Sequence, residues 1–373
     1  MTGTRAEYGL LGSTMAAINR HRRLELQLAV TGMHLLRGFG HTVNEIKRDG
    51  WRIDARVRMQ RGNDDPLDQA LGLSRGIAGL ARFFDAARTD VVLVLGDRIE
   101  AMAAALAAVS TGRILGHIHG GDVAPGDFDD SMRHAISKLA HVHFAATRAS
   151  ARRLVRMGES PQRVHHVGAP GMDRLRQLAR EASDKGNGRR DYRGVGLVVQ
   201  HPLGRSAARE RRIMAELLRA VADAGLSRTI IYPNSDRGHR GIIAAIDAHL
   251  ERARNGDVSV IRSLDRDHYL QTLIGADVII GNSSSGIIEA AVAGTPSVNV
   301  GDRQRGREPA GSSIVQAGES YDSIREALAC ARRKRPRIGR STVYGDGDTG
   351  SLIAKIVASI PIDEAYRRKQ IVY

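Results

Sequence analysis

The sequence contains little cysteine, few aromatic residues and few lysines, and these shortages exclude several classes of protein. Its one cysteine, Cys330, excludes an internal disulfide framework and a zinc cluster built on cysteines. Aromatic residues make up only 4% of the chain, so stacking platforms for nucleic-acid bases are scarce. No apolar run approaches the roughly 20 residues that a membrane helix needs. We therefore expect no membrane association and no nucleic-acid partner.

The chain is strongly basic, and arginine carries most of the excess. Its 56 lysines and arginines outnumber 41 acidic residues, which gives a formal net charge of +15. These residues are dispersed, apart from a cluster at 332–337, and no nucleic-acid-binding motif accompanies them. The pattern favours an arginine-rich surface that helps to attract an anionic substrate. The amino terminus lacks a charged segment followed by an apolar core, so we expect a cytoplasmic protein.

Length and apolar periodicity predict two α/β domains. A chain of 373 residues suits two domains at roughly 100–200 residues each. Short apolar runs such as Val91–Leu95 are typical of buried parallel strands, and they alternate with helical segments such as Glu100–Ser110. The alternation predicts two doubly wound Rossmann-like domains facing a cleft. Their predicted ranges are 1–180 and 194–350, with a linker at 181–193 and a final helical segment at 351–373.

The first residues lack the strand that a doubly wound domain requires. Gly3–Thr4–Arg5 has the pattern of a strand-to-helix turn before a predicted helix at Leu10–Arg20, yet just two residues precede it. Because the first strand of such a sheet is usually central, we expect the native chain to start upstream of Met1. A helix amino terminus binds anions, and Arg5 adds a bidentate donor for phosphate. A purely structural turn explains the glycine better.

A second turn of small residues, GNSSSGIIE at 281–289, lies between a predicted strand and a predicted helix at Ile287–Val292. Small residues let the backbone close on a phosphate, and Ser283–Ser285 add hydroxyl donors. Glu289 is placed to accept hydrogen bonds from ribose hydroxyls. The structural alternative is a serine N-cap with a glutamate at capping-box spacing. We favour phosphate binding.

The segment HIHGGD at 117–122 begins the densest group of titratable residues in the chain. His117 and His119 alternate with apolar residues and share a face, which suggests a metal site. A third ligand at a recognised spacing is missing, so we expect no metal.

Acidic residues continue this segment, with Asp122 followed by DFDD at 127–130 and then by Arg133. We expect the clustered carboxylates to raise one another's pKa, which makes a carboxyl group a proton shuttle near neutral pH. The structural alternative is an acidic loop that caps a helix at Ser131–Ala140, with Asp129 or Asp130 as the cap.

Other polar residues follow predicted strands of the two domains. Asp97 and Arg98 come directly after Val91–Leu95, and His201 ends the first strand of the second domain. A histidine at this place is a proton donor or a phosphate partner, and a structural role fits it equally well. Because ligands bind at the carboxyl ends of parallel strands, these signals converge on an anionic, nucleotide-like ligand.

These segments resemble the hydrolysing UDP-N-acetylglucosamine 2-epimerases that supply sialic-acid-type pathways. The resemblance extends in order over nearly the whole chain, and it implies the two-domain glycosyltransferase-B type fold. The matching segments are GTRAEYGLL (3–11), TGMHL (31–35), GDR (96–98), HIHGGD (117–122), DDSMRHAISKLAHVHF (129–144), VGAPGMD (167–173), QHP (200–202), YPNSD (232–236), GNSSSGIIEA (281–290), GTPSVN (294–299) and RQRGRE (303–308).

The resemblance also implies a reaction and a set of site residues. Members of the family eliminate UDP from a UDP-sugar to give a glycal and then add water, which inverts carbon 2. No metal or other cofactor is implied. Relatives often form dimers or tetramers, so we expect a homodimer or homotetramer. By motif position, His201 assists the leaving phosphate. The sugar is surrounded by Asp97, Asp122, Asp129, Asp130 and His201, and the substrate is held by Arg5, Arg98, Arg133, Ser284, Ser285, Gly286, Glu289 and Arg303.

Two departures from the family pattern leave alternatives open. Asp122 stands where the family commonly has glutamate, and a displacement of ~1 Å at a catalytic group can cost about a hundredfold in rate. Asp127 and Phe128 add bulk to the same loop. UDP-2,4-diacetamido-2,4,6-trideoxyglucose is therefore an alternative substrate. A glycosyltransferase of the same fold and a UDP-sugar-binding regulator are the alternative functions.

Overall fold

The computed structural model describes residues 1–61, 66–123, 129–184, 194–233, 238–253, 256–262, 264–308, 311–334 and 341–372. The chain divides into two compact units. The first is Met1–Asp173 with Gly345–Tyr373, and the second is Arg174–Tyr344. Each unit holds parallel β-sheet with helices between its strands, which confirms the predicted fold class of two doubly wound α/β units.

The described residues of the first unit form six strands, and all the pairs among them are parallel. β1 pairs with β2, and a four-stranded sheet runs in the order β3-β4-β5-β6. Their sequences are rich in valine and isoleucine, whose branched side chains suit a buried, pleated surface. The strands are β1 (Ala29–Thr31), β2 (Ala55–Val57), β3 (Val91–Leu95), β4 (Ile114–Ile118), β5 (Val142–Ala145) and β6 (Val164–His166).

Helices connect these strands and bury their apolar faces against the sheet. The first helix starts earlier than predicted because Thr4 and Glu7 form a capping box around its first turn. The fourth consists largely of alanine, which favours helix and packs closely because its side chain is small. The helices are α1 (Arg5–Arg20), α2 (Val43–Arg48), α3 (Pro66–Ala86), α4 (Ile99–Ser110), α5 (Asp129–Leu139), α6 (Arg148–Arg156), α13 (Thr349–Ser359) and α14 (Glu364–Arg367). The helix α7 (Gly171–Asp184) begins in the first unit, and its residues from Arg174 onward belong to the second.

The position of the expected first strand is occupied by Met1 and Thr2. Thr2 forms a parallel bridge with Val30 of β1, and the Met1 ammonium donates to the carbonyl of Leu93 in β3 at 3.2 Å. A cavity of about 470 Å³ also lies here, lined by residues of β1, β3, α1, α3 and α13. The chain therefore enters the sheet between β1 and β3, where the doubly wound pattern places its first strand.

Where the structure describes the second unit, its strands form one six-stranded parallel sheet in the order β12-β11-β10-β7-β8-β9. Its strand order reverses between β7 and β10, so polar residues that follow these strands lie at the topological switch point. The strands are β7 (Val195–Val199), β8 (Ser227–Ile231), β9 (Val258–Ile261), β10 (Val278–Gly281), β11 (Ser297–Val300) and β12 (Ile314–Ala317). The helices are α8 (Ala207–Asp223), α9 (His239–Leu250), α10 (Arg266–Gly275), α11 (Glu289–Ala293) and α12 (Tyr321–Lys334).

The structure differs from the predicted boundaries at two places. The first four residues of the expected linker at 181–193 continue α7, and residues 185–193 lie outside the described residues. The final helical segment belongs to the first unit because α13 packs against α1. Among the described residues, no helix is both long and apolar enough to cross a bilayer.

Candidate functional site

Asn282 fixes the loops that follow three strands of the second unit. This fully buried residue comes directly after β10. Its side-chain oxygen accepts from the His201 N–H, and its side-chain nitrogen donates to the His201 carbonyl, both at 2.8 Å. Its own carbonyl accepts from Gln304 at 2.8 Å and from Arg303 at 3.2 Å. The two predicted residues His201 and Arg303 are thus brought to the switch point by a residue that the sequence did not single out.

The close approach of β10 to β7 at this point requires glycine. Gly281 has a φ of 134°, and a Cβ there would lie 2.2 Å from the carbonyl oxygen of Val199. Burial, with a smaller contribution from the charge of Arg303, lowers the pKa of His201 to about 4. His201 is therefore a neutral imidazole at pH 7, which can donate a hydrogen bond but does not supply a positive charge.

The serine-rich turn is held by a chain of hydrogen bonds. Tyr269 donates to Ser285 Oγ at 2.6 Å, Ser285 donates to Glu289, and Glu289 forms an ion pair with Arg266. The three residues Ser284–Gly286 form a 3₁₀ turn, and Ser283 caps it by accepting from the Ser285 N–H at 3.3 Å.

The structural alternative for this turn, a serine N-cap with a glutamate at capping-box spacing, is wrong. Glu289 is the first residue of α11, and Ile288 occupies the N-cap position, so the predicted serine–glutamate capping box is absent from this described turn. The serine caps the preceding 3₁₀ turn instead. Gly286 is packed so closely that a Cβ would lie 2.7 Å from Ser297 Oγ. Ser284, Ser285, Gly286 and Glu289 therefore form one ordered turn at the carboxyl end of β10.

In the first unit, Asp122 is the centre of a buried polar cluster. One carboxylate oxygen lies 2.9 Å from His119 Nδ1, and the other accepts from Ser150 Oγ at 2.6 Å. Burial favours a raised pKa, but the hydrogen bonds from His119 and Ser150 and the charge of Arg133 together hold the pKa of Asp122 well below its usual range. The expectation of a raised pKa is therefore wrong for Asp122, because donors rather than carboxylates surround it.

Arg133 connects this cluster to the end of β3. Its guanidinium forms an ion pair with Asp97 and donates to the carbonyl of His119 at 3.2 Å. The Arg133 side chain is 6% exposed and that of Asp97 19% exposed, so the pair is largely shielded from water. We call Asp97, His119, Asp122, Arg133 and Ser150 the Asp122 cluster. It brings together three residues predicted from sequence, Asp97, Asp122 and Arg133.

The turn after β4 allows the cluster to form. Gly121 has a φ of 75°, and a Cβ there would lie 2.4 Å from the carbonyl oxygen of Ser150. The start of α6 can therefore approach closely enough for Ser150 to reach Asp122. Sequence analysis missed Ser150 and assigned His119 no function, although the spacing of His119 and Asp122, three residues apart, was visible.

His117 belongs to the core rather than to the site. Its Nε2 lies 2.7 Å from the carbonyl oxygen of Gly96, and its Nδ1 lies 3.0 Å from Ser137 Oγ. Burial lowers its pKa to about 3, so the ring is neutral. Because both ring nitrogens are engaged inside the protein, His117 has none to offer a metal ion.

The remaining predicted residues lie in separate local contacts. Arg5 pairs with Glu45 at 2.9 Å, and Arg98 pairs with Glu100 at 3.2 Å. Asp130 Oδ2 lies 3.6 Å from a ring nitrogen of His134. Asp129 starts α5, but its side chain lies outside what the structure describes, as do Asp127 and Phe128.

Comparison with known proteins identifies the family. The family model described as UDP-N-acetylglucosamine 2-epimerase matches residues 16–358. The UDP-N,N'-diacetylbacillosamine 2-epimerase (hydrolyzing) of Legionella pneumophila is 36% identical over 365 residues, which cover 97% of this chain and 95% of that relative. The UDP-N-acetylglucosamine 2-epimerase of Neisseria meningitidis is 32% identical over 356 residues, or 94% of this chain and 90% of that relative.

A solved structure supports the fold. The UDP-GlcNAc 2-epimerase from Neisseria meningitidis bound to UDP-GlcNAc superposes with a TM-score of 0.77 at 16% identity, covering 95% of this chain and 97% of that one. The two units thus have the Rossmann-like architecture of the glycosyltransferase-B type. The chain belongs to the UDP-N-acetylglucosamine 2-epimerase family and is a UDP-sugar 2-epimerase.

Proposed function

We propose that this epimerase is hydrolysing and converts a UDP-2-acetamido sugar into UDP and the free manno-configured sugar. The Asp122 cluster carries the proposal, because it places two carboxylates, a histidine and an arginine at the carboxyl ends of β3 and β4. Proton transfer at carbon 2 requires such groups.

The reaction has two stages, and each needs acid and base groups. In the elimination, the carbon-2 proton leaves to a base, its electron pair forms the double bond between carbons 1 and 2, and the carbon-1–oxygen pair departs with UDP. In the hydration, the water oxygen bonds to carbon 1 and a proton reaches carbon 2 from the opposite face. Asp97, Asp122, Asp129 and Asp130 surround the sugar during these transfers.

The second unit holds the nucleotide in this proposal. Departure of UDP leaves negative charge on the diphosphate, and fixed cations and N–H donors stabilise such charge. Arg303 supplies a cation, and neutral His201 donates a hydrogen bond. The serine turn at Ser284–Gly286 and Glu289 contact the phosphate and ribose.

The sugar is proposed to be UDP-2,4-diacetamido-2,4,6-trideoxyglucose, with UDP-N-acetylglucosamine as the competing substrate. The Legionella relative, which spans nearly the whole chain, supports this choice by its name. The departures at Asp122, Asp127 and Phe128 support it from the sequence, since they alter the loop that follows β4.

The test is UDP release measured separately with each of the two nucleotide sugars and with no acceptor present. We expect UDP to be released from both sugars, with the larger kcat/KM for the diacetamido sugar. Release that requires an acceptor sugar would instead identify a glycosyltransferase. Tight binding of both nucleotides without release would identify a binding protein, and either of these outcomes contradicts a hydrolysing epimerase.

A further inference from the structure

Asp122 and His119 are in direct contact, and this contact gives them different roles in proton transfer. We propose that His119 Nε2 takes the carbon-2 proton during elimination and that Asp122 is the positioning residue that holds His119. This inference rests on the proposed function. It names a proton acceptor that neither the motif comparison nor the family relationship assigned.

The hydrogen bond to Asp122 determines which ring nitrogen of His119 is basic. An ionised carboxylate only accepts hydrogen bonds, so His119 Nδ1, at 2.9 Å from Asp122 Oδ2, must carry the proton of that bond. In a neutral imidazole the other nitrogen then holds a lone pair. His119 Nε2 is therefore the basic atom of this pair.

Asp122 itself is poorly suited to remove a proton. Its carboxylate already accepts from His119 and Ser150 and is only 6% exposed. Its lowered pKa makes it a weak base at pH 7. A buried carboxylate beside an imidazole instead stabilises the imidazolium that proton transfer creates.

The surroundings of His119 Nε2 leave its lone pair available to accept a proton. His119 Nε2 is buried and has no hydrogen-bond partner within the described part of the chain. An unpaired buried nitrogen is unfavourable, so a ligand group that supplies its partner is the simplest reason for it. His117, two residues away, has both ring nitrogens engaged, which sets the two histidines apart.

The backbone of His119 is also unusual. Its φ is 64°, in the left-handed region that histidine adopts at a cost and glycine adopts freely. The conformation is held at both ends of the residue, since the His119 N–H donates to the carbonyl of Phe144 at 3.1 Å and the His119 carbonyl accepts from Arg133 at 3.2 Å. Such strain clusters at functional sites.

The proton balance of the step is complete within these groups. The carbon-2 proton bonds to His119 Nε2, the carbon–hydrogen pair becomes the glycal double bond, and UDP leaves with the carbon-1–oxygen pair. The resulting imidazolium has one proton on each nitrogen, with the Nδ1 proton directed to Asp122. It returns its extra proton to solvent before the next turnover.

The left-handed backbone permits a sharp test, His119→Gly with imidazole rescue, because glycine keeps the backbone conformation and leaves space for the ring. We expect kcat to fall about 100-fold with KM changed less than about threefold. Added imidazole raises the kcat of His119→Gly at least about tenfold. N-methylimidazole, which has no N–H for Asp122, raises this kcat less. The matched control is His41→Gly, which replaces another histidine at positive φ and leaves activity and imidazole response unchanged.

A second measurement does not depend on turnover. Nitrogen-15 NMR of the histidines, assigned by the signal lost in His119→Gly, should show Nδ1 protonated and Nε2 as a lone-pair nitrogen. A protonated Nε2, or a His119→Gly variant that keeps more than about a tenth of the wild-type kcat, overturns the inference. Wild-type protein that releases no UDP overturns the proposed function instead, so the two failures are distinguishable.

Discussion

The side chain of Asn282 binds the main chain of His201 in both directions, with the His201 N–H and carbonyl each 2.8 Å from an atom of the same amide. This pairing resembles the pairing of two strands, although it joins a side chain to a loop. It fixes the start of the His201 loop at the switch point of the second unit.

Replacing Asn282 by alanine should therefore loosen the proposed nucleotide side of the site. Two main-chain groups of His201 lose their partners, which costs about 1–3 kcal/mol each if they stay buried. We expect unfolding at lower urea concentration and inhibition by UDP weakened about tenfold. Asn44→Ala, on the small helix α2, is the control and should change neither quantity. Unchanged UDP inhibition in Asn282→Ala would show that this loop does not contact the nucleotide.

The shorter side chain of Asp122 is matched to its surroundings, so Asp122→Glu should not improve the enzyme. The carboxylate is already 2.6 Å from Ser150 and 2.9 Å from His119, so another methylene would displace it from these two partners. Overpacking of this kind costs about 1–3 kcal/mol of stability. We expect kcat to fall at least about tenfold, measured as UDP release. The exposed Asp322→Glu serves as control, and a gain in activity from Asp122→Glu would contradict the matched geometry.

Glu159 makes the stability of the first unit depend on acid pH. Burial opposes its charge, but hydrogen bonds from His143, Lys138 and Lys369 lower its pKa from 4.5 to about 2. Because the folded pKa is the lower one, the stabilisation is complete above pH 4.5 and is lost as pH falls towards 2. Glu159→Gln should cost about 3–5 kcal/mol in urea unfolding at pH 7 and progressively less on acidification.

The control for this experiment is Glu364→Gln, since Glu364 is 84% exposed and should not affect unfolding. A Glu159→Gln deficit that stays constant between pH 7 and pH 3 would show that the charge of Glu159 is not responsible.

Glu7 makes the stability of the first unit depend on pH in the opposite direction. Burial and the nearby charge of Glu100 raise its pKa from 4.5 to about 7, despite the N–H groups of Gly3 and Thr4. Its stabilising contribution is therefore complete below pH 4.5 and is lost as pH rises to 7. Glu7→Gln keeps an acceptor for Gly3 and avoids the buried charge. We expect the variant to be more stable than wild type by about 2–3 kcal/mol at pH 8 and nearly equal at pH 5.

Thermal or urea unfolding at the two pH values measures this difference directly. Glu251→Gln, at an exposed position after α9, provides the control. A Glu7→Gln variant less stable than wild type at pH 8 would mean that the buried carboxylate is favourable.

Much of the fold could be predicted from local sequence. Val91–Leu95 and Ser297–Val300 are strands with the predicted ends, because a short, largely apolar run between polar turns fits a buried parallel strand. Val258–Ile261 also has the predicted ends, although it is only partly buried. The strands β2, β6 and β12 were missed. They are short and only partly buried, so their sequences carry no continuous apolar run.

The candidate site was predicted less completely, because its geometry depends on contacts between distant segments. Asp122 meets Ser150 only through the turn at Gly121, and Asp97 meets Arg133 across 36 residues of sequence. The pKa of Asp122 is lowered by its hydrogen-bond donors and by Arg133. The clustered acidic residues in the sequence predicted a raised pKa, which is the wrong direction. Motif position identified Asp97, Asp122 and Arg133, but only the folded chain shows how they pair.

The central claim is hydrolytic 2-epimerisation, and proton NMR in deuterated water tests it most directly. Wild-type protein is incubated with UDP-2,4-diacetamido-2,4,6-trideoxyglucose and, separately, with UDP-N-acetylglucosamine. The account predicts free UDP and a manno-configured sugar that carries deuterium at carbon 2, because elimination and hydration exchange that proton with solvent. A released sugar that keeps its gluco configuration and its original carbon-2 proton would contradict it.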